Sequence, residues 1–467
     1  MTTRSKNALF PAASPEADPA SPVVKRAAID AALALVLVLA YAIAEIALFA
    51  NHVPWRDEAQ GWLVAMALSG PLDFLIIPGG EGHPPLWFWI LRGLGSVLNF
   101  DQARYLTLGV AILNGLLFWR LLNRQPLLLA VALCSSVILM QWGYSFRPYS
   151  LVLTTILLAL LLDRAGHRAA GTWLLAFGCG FHFFAGFPFA LWLLVQWQRG
   201  TRVSRLTGPS ILALFFAASA IISGMGNPAS GINVGNVLPG TLNGLSWWMP
   251  GMEYRHPVAG IGYLVLLAFG LWRSPFILAV LLALTLLFAA ATALIYGEFL
   301  WHAAFMMLMA FMAFVMAGER ARIWVLAVLM APQALLGIAN AKIALTTHMN
   351  GDIDIYNIVQ ADAGMDTIPQ QQLVGWPDYM VQSAATQLDF TYRSGNNGMI
   401  MGPVDWRTRE RWMIDPGLAS LPTPYWLVCK DCATLIDFIS SAGLKPTNIG
   451  TALNYSDGRI YAYRIDR

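Results

Sequence analysis

The chain is poor in charge. Only 12% of its 467 residues are Asp, Glu, Lys or Arg, while 57% are hydrophobic, a balance far from that of a soluble globular protein. The formal net charge of +3 is small. Its basic residues come in short clusters between apolar runs, a distribution that speaks to membrane topology and excludes a nucleic-acid surface. Cysteine is scarce, at four. Cys429-Lys-Asp-Cys432 has the CxxC spacing, but zinc would want a second pair of ligands at similar spacing, and none is present. A thioredoxin-like redox role would need that fold's surroundings. In an oxidising compartment a local disulfide is the simplest outcome. Cys134 and Cys179 fall in apolar runs and read as small packing residues. There is no clear internal repeat of the kind transporters carry. No small-residue cleavage site follows the first apolar run, so that run reads as a membrane span rather than a signal peptide.

What the chain does have is a series of apolar runs of about 20 residues, the length of a membrane span. Residues 1–26, rich in Pro, Ala and Ser, read as a disordered cytoplasmic tail. Lys25 and Arg26 precede the first span, 28–50, which puts the N-terminus inside and the segment 51–84 outside. The run 85–99 is short and carries Arg92 at its centre, so it is expected to lie at or dip into the outer interface. Spans at 102–121, 126–143 and 148–163 then deliver Arg120, Arg124, Arg164 and Arg168 to the inside. Residues 170–197 begin and end on that basic side, as two short helices meeting near Phe181–Pro188. Further spans at 208–224, 257–272, 275–296, 299–316 and 323–343 follow. The expected fold class is a polytopic α-helical membrane protein with about eleven transmembrane helices. Its membrane domain covers 27–344, with an outer-face loop at 51–100. Beyond it the composition turns soluble. Strand-like QQLVGW, PYWLVC and RIYAYRI alternate with helix-like PDYMVQSAATQL and CATLIDFISSAGL, giving a small extracytoplasmic α/β domain over 345–467.

The densest polar segment of the membrane half is Pro54–Trp89, PWRDEAQGWLVAMALSGPLDFLIIPGGEGHPPLWFW. Carboxylates at a membrane surface must be solvated, paired, or holding a metal or substrate. The topology gathers the candidate groups on the outer face: Asp57, Glu58, Glu81 and His83, then Tyr144, Arg147 and Tyr149, then His182, Glu253, Arg255, His256, Glu298 and His302. Moving a sugar from a polyprenyl phosphate needs a carboxylate to take the acceptor's proton, and cations to neutralise the departing phosphate. Asp57 beside Glu58 supplies a base. Arg147, Tyr149 and Arg255 are the candidates for gripping phosphate. Glu81 and His83, two apart in a Gly/Pro-rich turn, are the candidate ligands of a divalent metal ion, Mg or Mn. The plainer alternatives are that Arg56, Asp57 and Glu58 cap an interfacial helix, that His83 is a hydrogen-bonded loop residue, and that Arg147 is an interface anchor between aromatics. His182 and His302 read more readily as packed groups. Trp247-Trp248 read as an interfacial belt or a sugar-stacking platform.

An acidic pair just after the first span, followed by a loop closing in E-G-H-P-P-L-W, resembles the GT-C membrane glycosyltransferases. The group it is most similar to contains the protein O-mannosyltransferases and the lipid A aminoarabinose transferases. The matching residues are Asp57, Glu58, Glu81, His83, Pro84, Pro85, Leu86 and Trp87, and the resemblance covers about 28–343. It implies an inverting glycosyltransferase that takes its sugar from a polyprenyl-phosphate-linked donor at the outer face of a bacterial inner membrane, with Asp57 as the base. Glu81 and His83 match acidic and histidine positions near a bound metal in relatives. The acceptor, whether glycan, lipid or protein, is not implied, because the C-terminal domain does not match the mannosyltransferases' β-rich inserted module. A transporter or flippase of a lipid-linked saccharide is the alternative. The candidate site requires Asp57, Glu81, His83 and Arg147 to line one outward-facing cavity.

Overall fold

The computed structural model describes residues 22–225, 227, 234–249, 257–296, 300–404, 413–454 and 458–467. Its membrane part is helical. It opens with α1 (Pro22–Ala50), α2 (Arg56–Ala67), α3 (Leu86–Leu94), α4 (Phe100–Leu122) and α5 (Pro126–Leu133). It continues with α6 (Tyr149–Arg164), α7 (Arg168–Gly178), α8 (Gly186–Gln198), α9 (Val203–Gly224) and α10 (Val237–Gly244). The last four are α11 (Pro257–Leu271), α12 (Pro275–Tyr296), α13 (Leu300–Ala317) and α14 (Ile323–Ala344).

Among the described residues, six segments, in α1, α4, α9, α12, α13 and α14, are long and apolar enough to cross a membrane, and α8 and α11 are shorter apolar helices. The protein is an integral membrane protein. The apolar window of α13 is 83% buried against 33% for α1, so α13 is the central helix and α1 turns apolar side chains outward. A helix apolar on every side belongs in such an interior. The nine residues of α3 span about 14 Å, half the thickness of a bilayer core.

The run 126–143, expected as one span, is interrupted. It contains α5, a break at Cys134–Ser135, and a single π-helical turn, Val137–Gln141. Ser135 Oγ donates to the Ala132 carbonyl at 2.8 Å, a local bond of the kind that competes with the helical ladder. α14 crosses so close that a Cβ on Gly337 would lie 2.0 Å from the Cys134 carbonyl oxygen. The π turn ends the helix early and leaves Trp142–Pro148 as a loop, which is what positions Arg147. α7 and α8 meet at a corner near His182, capped by a 3-10 turn at Phe183–Ala185.

After α14 come α15 (Asp352–Ala363), β1 (Leu373–Trp376), α16 (Gln382–Gln387), β2 (Arg393–Ser394), β3 (Tyr425–Cys429), α17 (Ala433–Ser441), β4 (Lys445–Asn454) and β5 (Gly458–Asp466). The sheet order is β2-β1-β3-β5-β4, with β1 parallel to β2 and β3, and β5 antiparallel to β3 and β4. The central strand β3 is buried along its whole length, as expected where both faces are covered. Trp426 and Val428 pack with Ile355 and Val359 of α15, while Tyr425, Leu427 and Cys429 pack with Leu435 and Ile439 of α17. Period-two alternation therefore sorts β3 between two helical layers. Cys429 and Cys432 form a disulfide where β3 passes into α17.

Candidate active site

The floor of the site is aromatic. Trp62, Trp87, Phe88, Phe100 and Phe146 form one buried cluster. Phe146 meets Trp87 and Phe100 edge-on, with centroids 5.4 and 5.6 Å apart, a geometry that fixes ring positions as well as burying area. This cluster locks α2, α3 and the Trp142–Pro148 loop together beneath a small cavity. Asp57, Gly61, Glu81, His83, Trp87, Phe88, Arg147, Pro148 and Phe181 line it.

Asp57 and Arg147 face each other across this cavity. Arg147 Nη1 donates to the Asp57 backbone carbonyl at 3.0 Å and lies 3.6 Å from its Oδ2. Arg56 Nε donates to Oδ1 at 3.2 Å. Burial pushes the Asp57 carboxyl up, and the Arg147 and Arg56 guanidinium charges overcome it, holding the group below its ordinary value. Burial acts against the Arg147 charge, and Tyr149 and Asp57 more than restore it. Arg147 Nε is buried with no hydrogen-bond partner. The Trp142 ring lies parallel to Tyr149, at 5.4 Å, and the Arg147 guanidinium is 5.6 Å from the Tyr149 ring. Tyr149 thus stands behind Arg147 and does not line the cavity.

Glu58 lies on the far side of α2. Its carboxylate is buried and surrounded by donors. His52 Nε2 lies 2.8 Å from Oε2, Trp55 N–H donates to Oε2 at 2.5 Å, Ser145 Oγ donates to Oε1 at 3.0 Å, and Phe146 N–H also donates to Oε1. Burial raises the group, but His52, Arg104 and the Trp55 N–H bring it down to about 2. A catalytic role for Glu58 does not fit these surroundings: every oxygen is already engaged, and the carboxylate ties α2 to the loop that carries Arg147. The helix-capping alternative applies to Glu58, whereas Asp57 faces the cavity.

His83 Nδ1 is 2.7 Å from the Glu81 carbonyl, which requires the proton on Nδ1 and leaves the Nε2 lone pair for another partner. Burial and the Arg147 charge hold its pKa down at about 4, so the ring is neutral at physiological pH. Glu81 Oε1 accepts from Gln60 Nε2 at 2.6 Å. Among the described residues no third His, Cys, Asp or Glu joins Glu81 and His83 in a metal-holding group, so the pair offers one oxygen and one nitrogen ligand and fits a metal only in part.

His182 caps the Phe183–Ala185 turn, its Nδ1 accepting from Phe184 N–H at 3.2 Å. Its ring packs near His83, Tyr149 and His302. Burial first, then His302 and His83, hold its pKa well below the ordinary value. Trp247 is buried in the helical core, and Trp248 Nε1 donates to the Ala259 carbonyl at 2.8 Å, so neither reaches the cavity. Arg255, with Glu253, His256 and Glu298, lies outside the described residues.

The sequence reading missed Gln60, His52 and the contribution of the C-terminal domain. Gln60 had a signal: with Asp57 at i and Gly61 at i+4, it falls on the same face of α2. His52 had none beyond its nearness to Glu58. Asn350 Nδ2 and Ser383 Oγ both donate to the Pro54 carbonyl, contacts across some 300 residues that no local pattern announces.

The fold is similar to that of a solved membrane protein, ArnT. Two solved structures carry the likeness, both of ArnT from Cupriavidus metallidurans. The apo state aligns with a TM-score of 0.52 at 13% identity, over 92% of this chain and 97% of that one. The form bound to undecaprenyl phosphate aligns with a TM-score of 0.50 at 14% identity, with the same coverage. No family model matches the chain, and no curated protein sequence matches it.

Proposed function

We propose that the protein is an inverting glycosyltransferase using a polyprenyl-phosphate-linked sugar at the outer face of a bacterial inner membrane. The observation that carries this reading is the pairing of a carboxylate and a buried guanidinium in one cavity, Asp57 against Arg147. That ArnT, of the same fold, binds undecaprenyl phosphate supports the donor class. The proposed topology has about eleven crossings, with the N-terminus cytoplasmic and residues 345–467 outside.

In the proposed reaction the acceptor hydroxyl attacks the anomeric carbon and its proton passes to an Asp57 oxygen. The bond from that carbon to the phosphate oxygen breaks on the opposite face, and the polyprenyl phosphate leaves with the electron pair. Arg147 meets the developing negative charge through N–H groups already fixed in place. Phosphate drawn to Arg147 shares the charge that depresses Asp57, so donor binding raises the proton affinity of the base when it is needed. Glu81 and His83 would hold a divalent ion, Mg or Mn, which when bound adds positive charge beside the phosphate.

The test is transfer in membranes from a panel of radiolabelled polyprenyl-phosphate sugars. Wild type should consume one donor, and Asp57→Asn should lower kcat by about 100-fold or more. Equal transfer by both proteins refutes the base assignment, and consumption of no donor by wild type refutes the function. Chelation in the same assay reads the metal: undiminished transfer in EDTA removes it from the proposal.

A further inference from the structure

Glu81 stands in the cavity wall on backbone that does little to aim it. Gly80 and Gly82 flank it at φ +73° and +66°, the left-handed region glycine enters without strain. The loop is held from below by its carbonyls: Ser223 Oγ donates to Ile77 at 2.6 Å and Asn227 Nδ2 to Gly80 at 2.9 Å. The carboxylate is aimed from α2, through the 2.6 Å bond from Gln60.

The C-terminal domain decides how Gln60 is turned. Val404 N–H donates to Gln60 Oε1 at 2.9 Å, and the Val404 carbonyl accepts from Nε2 at 2.8 Å. A backbone N–H and C=O cannot exchange roles, so a flipped amide would set donor against donor and acceptor against acceptor. Gln382 Nε2 adds a second bond to Oε1 at 2.8 Å. The amide is then saturated, and its remaining N–H meets Glu81. Gln60 and Gln382 are both buried. Beside them the Arg56 guanidinium lies 4.6 Å from the Tyr379 ring, so the C-terminal domain grips the first turns of α2 at several points.

We propose that Gln60 is a positioning residue through which the C-terminal domain, by Val404 and Gln382, sets the Glu81 carboxylate in the cavity. This rests on the cavity being the donor site. The soluble domain is then a working part of the membrane site rather than an appendage to it.

The test uses the full chain in lipid nanodiscs, as wild type, Gln382→Leu and Gln60→Leu. Two measurements are made: hydrogen–deuterium exchange of the segment 77–84, and steady-state transfer from the donor that the panel identifies. Loss of a hydrogen bond to a carboxylate corresponds to roughly a tenfold effect or more. Both variants should therefore exchange 77–84 about tenfold faster, with β3 and β5 unchanged. They should also lose about tenfold in kcat, with the donor KM within about twofold of wild type. Unchanged exchange and unchanged kcat overturn the proposal. So does faster exchange throughout the chain, which marks general loosening. If wild type consumes no donor, the functional reading fails on its own and exchange in 77–84 alone decides the positioning. If Gln382→Leu does not fold, Gln60→Leu carries both measurements.

Discussion

Replacing Glu58 by Gln keeps the shape of the side chain and removes its charge, which separates a strut from a base. The buried carboxylate receives His52, Trp55 N–H, Ser145 and Phe146 N–H, and the amide turns one of its two oxygens into a donor. At least one buried donor then faces another, at a cost of about 1–3 kcal/mol. Proton linkage gives an independent magnitude. The gap between the ordinary 4.5 and about 2 is worth about 3 kcal/mol, because each pH unit is about 1.4 kcal/mol. A carboxyl depressed by folding stabilises the protein above its unfolded value, and that contribution is lost as pH falls from about 4.5 to about 2. Wild type in detergent should therefore lose stability over that interval. Glu58→Gln should melt several degrees lower at neutral pH and show a flatter acid limb. The assay is thermal unfolding by circular dichroism at a series of pH values. Equal melting temperatures and equal acid limbs for the two proteins would refute the strut. A Glu58→Gln protein of wild-type stability with no transferase activity would restore the catalytic reading.

Two further outcomes follow from the geometry. His83 is neutral above about 4 and Asp57 is ionised through the same range, so kcat/KM against pH should run flat from about 5 to 8; a step near the ordinary histidine value of about 6.5 would contradict the neutral His83. Gly337→Ala places a Cβ 2.0 Å from the Cys134 carbonyl and 2.7 Å from Ser136 N, both backbone atoms. Overpacking of that kind costs about 1–3 kcal/mol, so the variant should melt below wild type, and an unchanged melting temperature would mean that the close crossing of α14 is absent.

The membrane helices were legible because length and apolarity are properties of contiguous sequence. The acidic segment was legible because a charge in a greasy chain stands out. Asp57, Glu81, His83 and Arg147 could be placed together by counting crossings, and the cavity gathers all four. Separating Asp57 from Glu58 could not be done from composition, since neighbours on a helix point about 100° apart and only the packing says which way the site lies. The split within 126–143 was invisible because its cause sits on another helix, at Gly337. Strand β4 is not legible in the sequence because Pro446, Gly450 and a bulge between Asn448 and Gly450 interrupt its alternation. Helix α15 does carry local signals, an acidic first turn and Gly364 at φ +65° closing it.

The Pro54 carbonyl, bound by Asn350 and Ser383, also sets an order of assembly. A chain is made from its N-terminus, and its early parts fold before the later ones exist. The helix bearing Asp57 is therefore made while the residues that fasten its N-terminal approach are still unmade. Those residues arrive only after α14 has been threaded. A half-synthesised protein would thus hold an unfinished cavity.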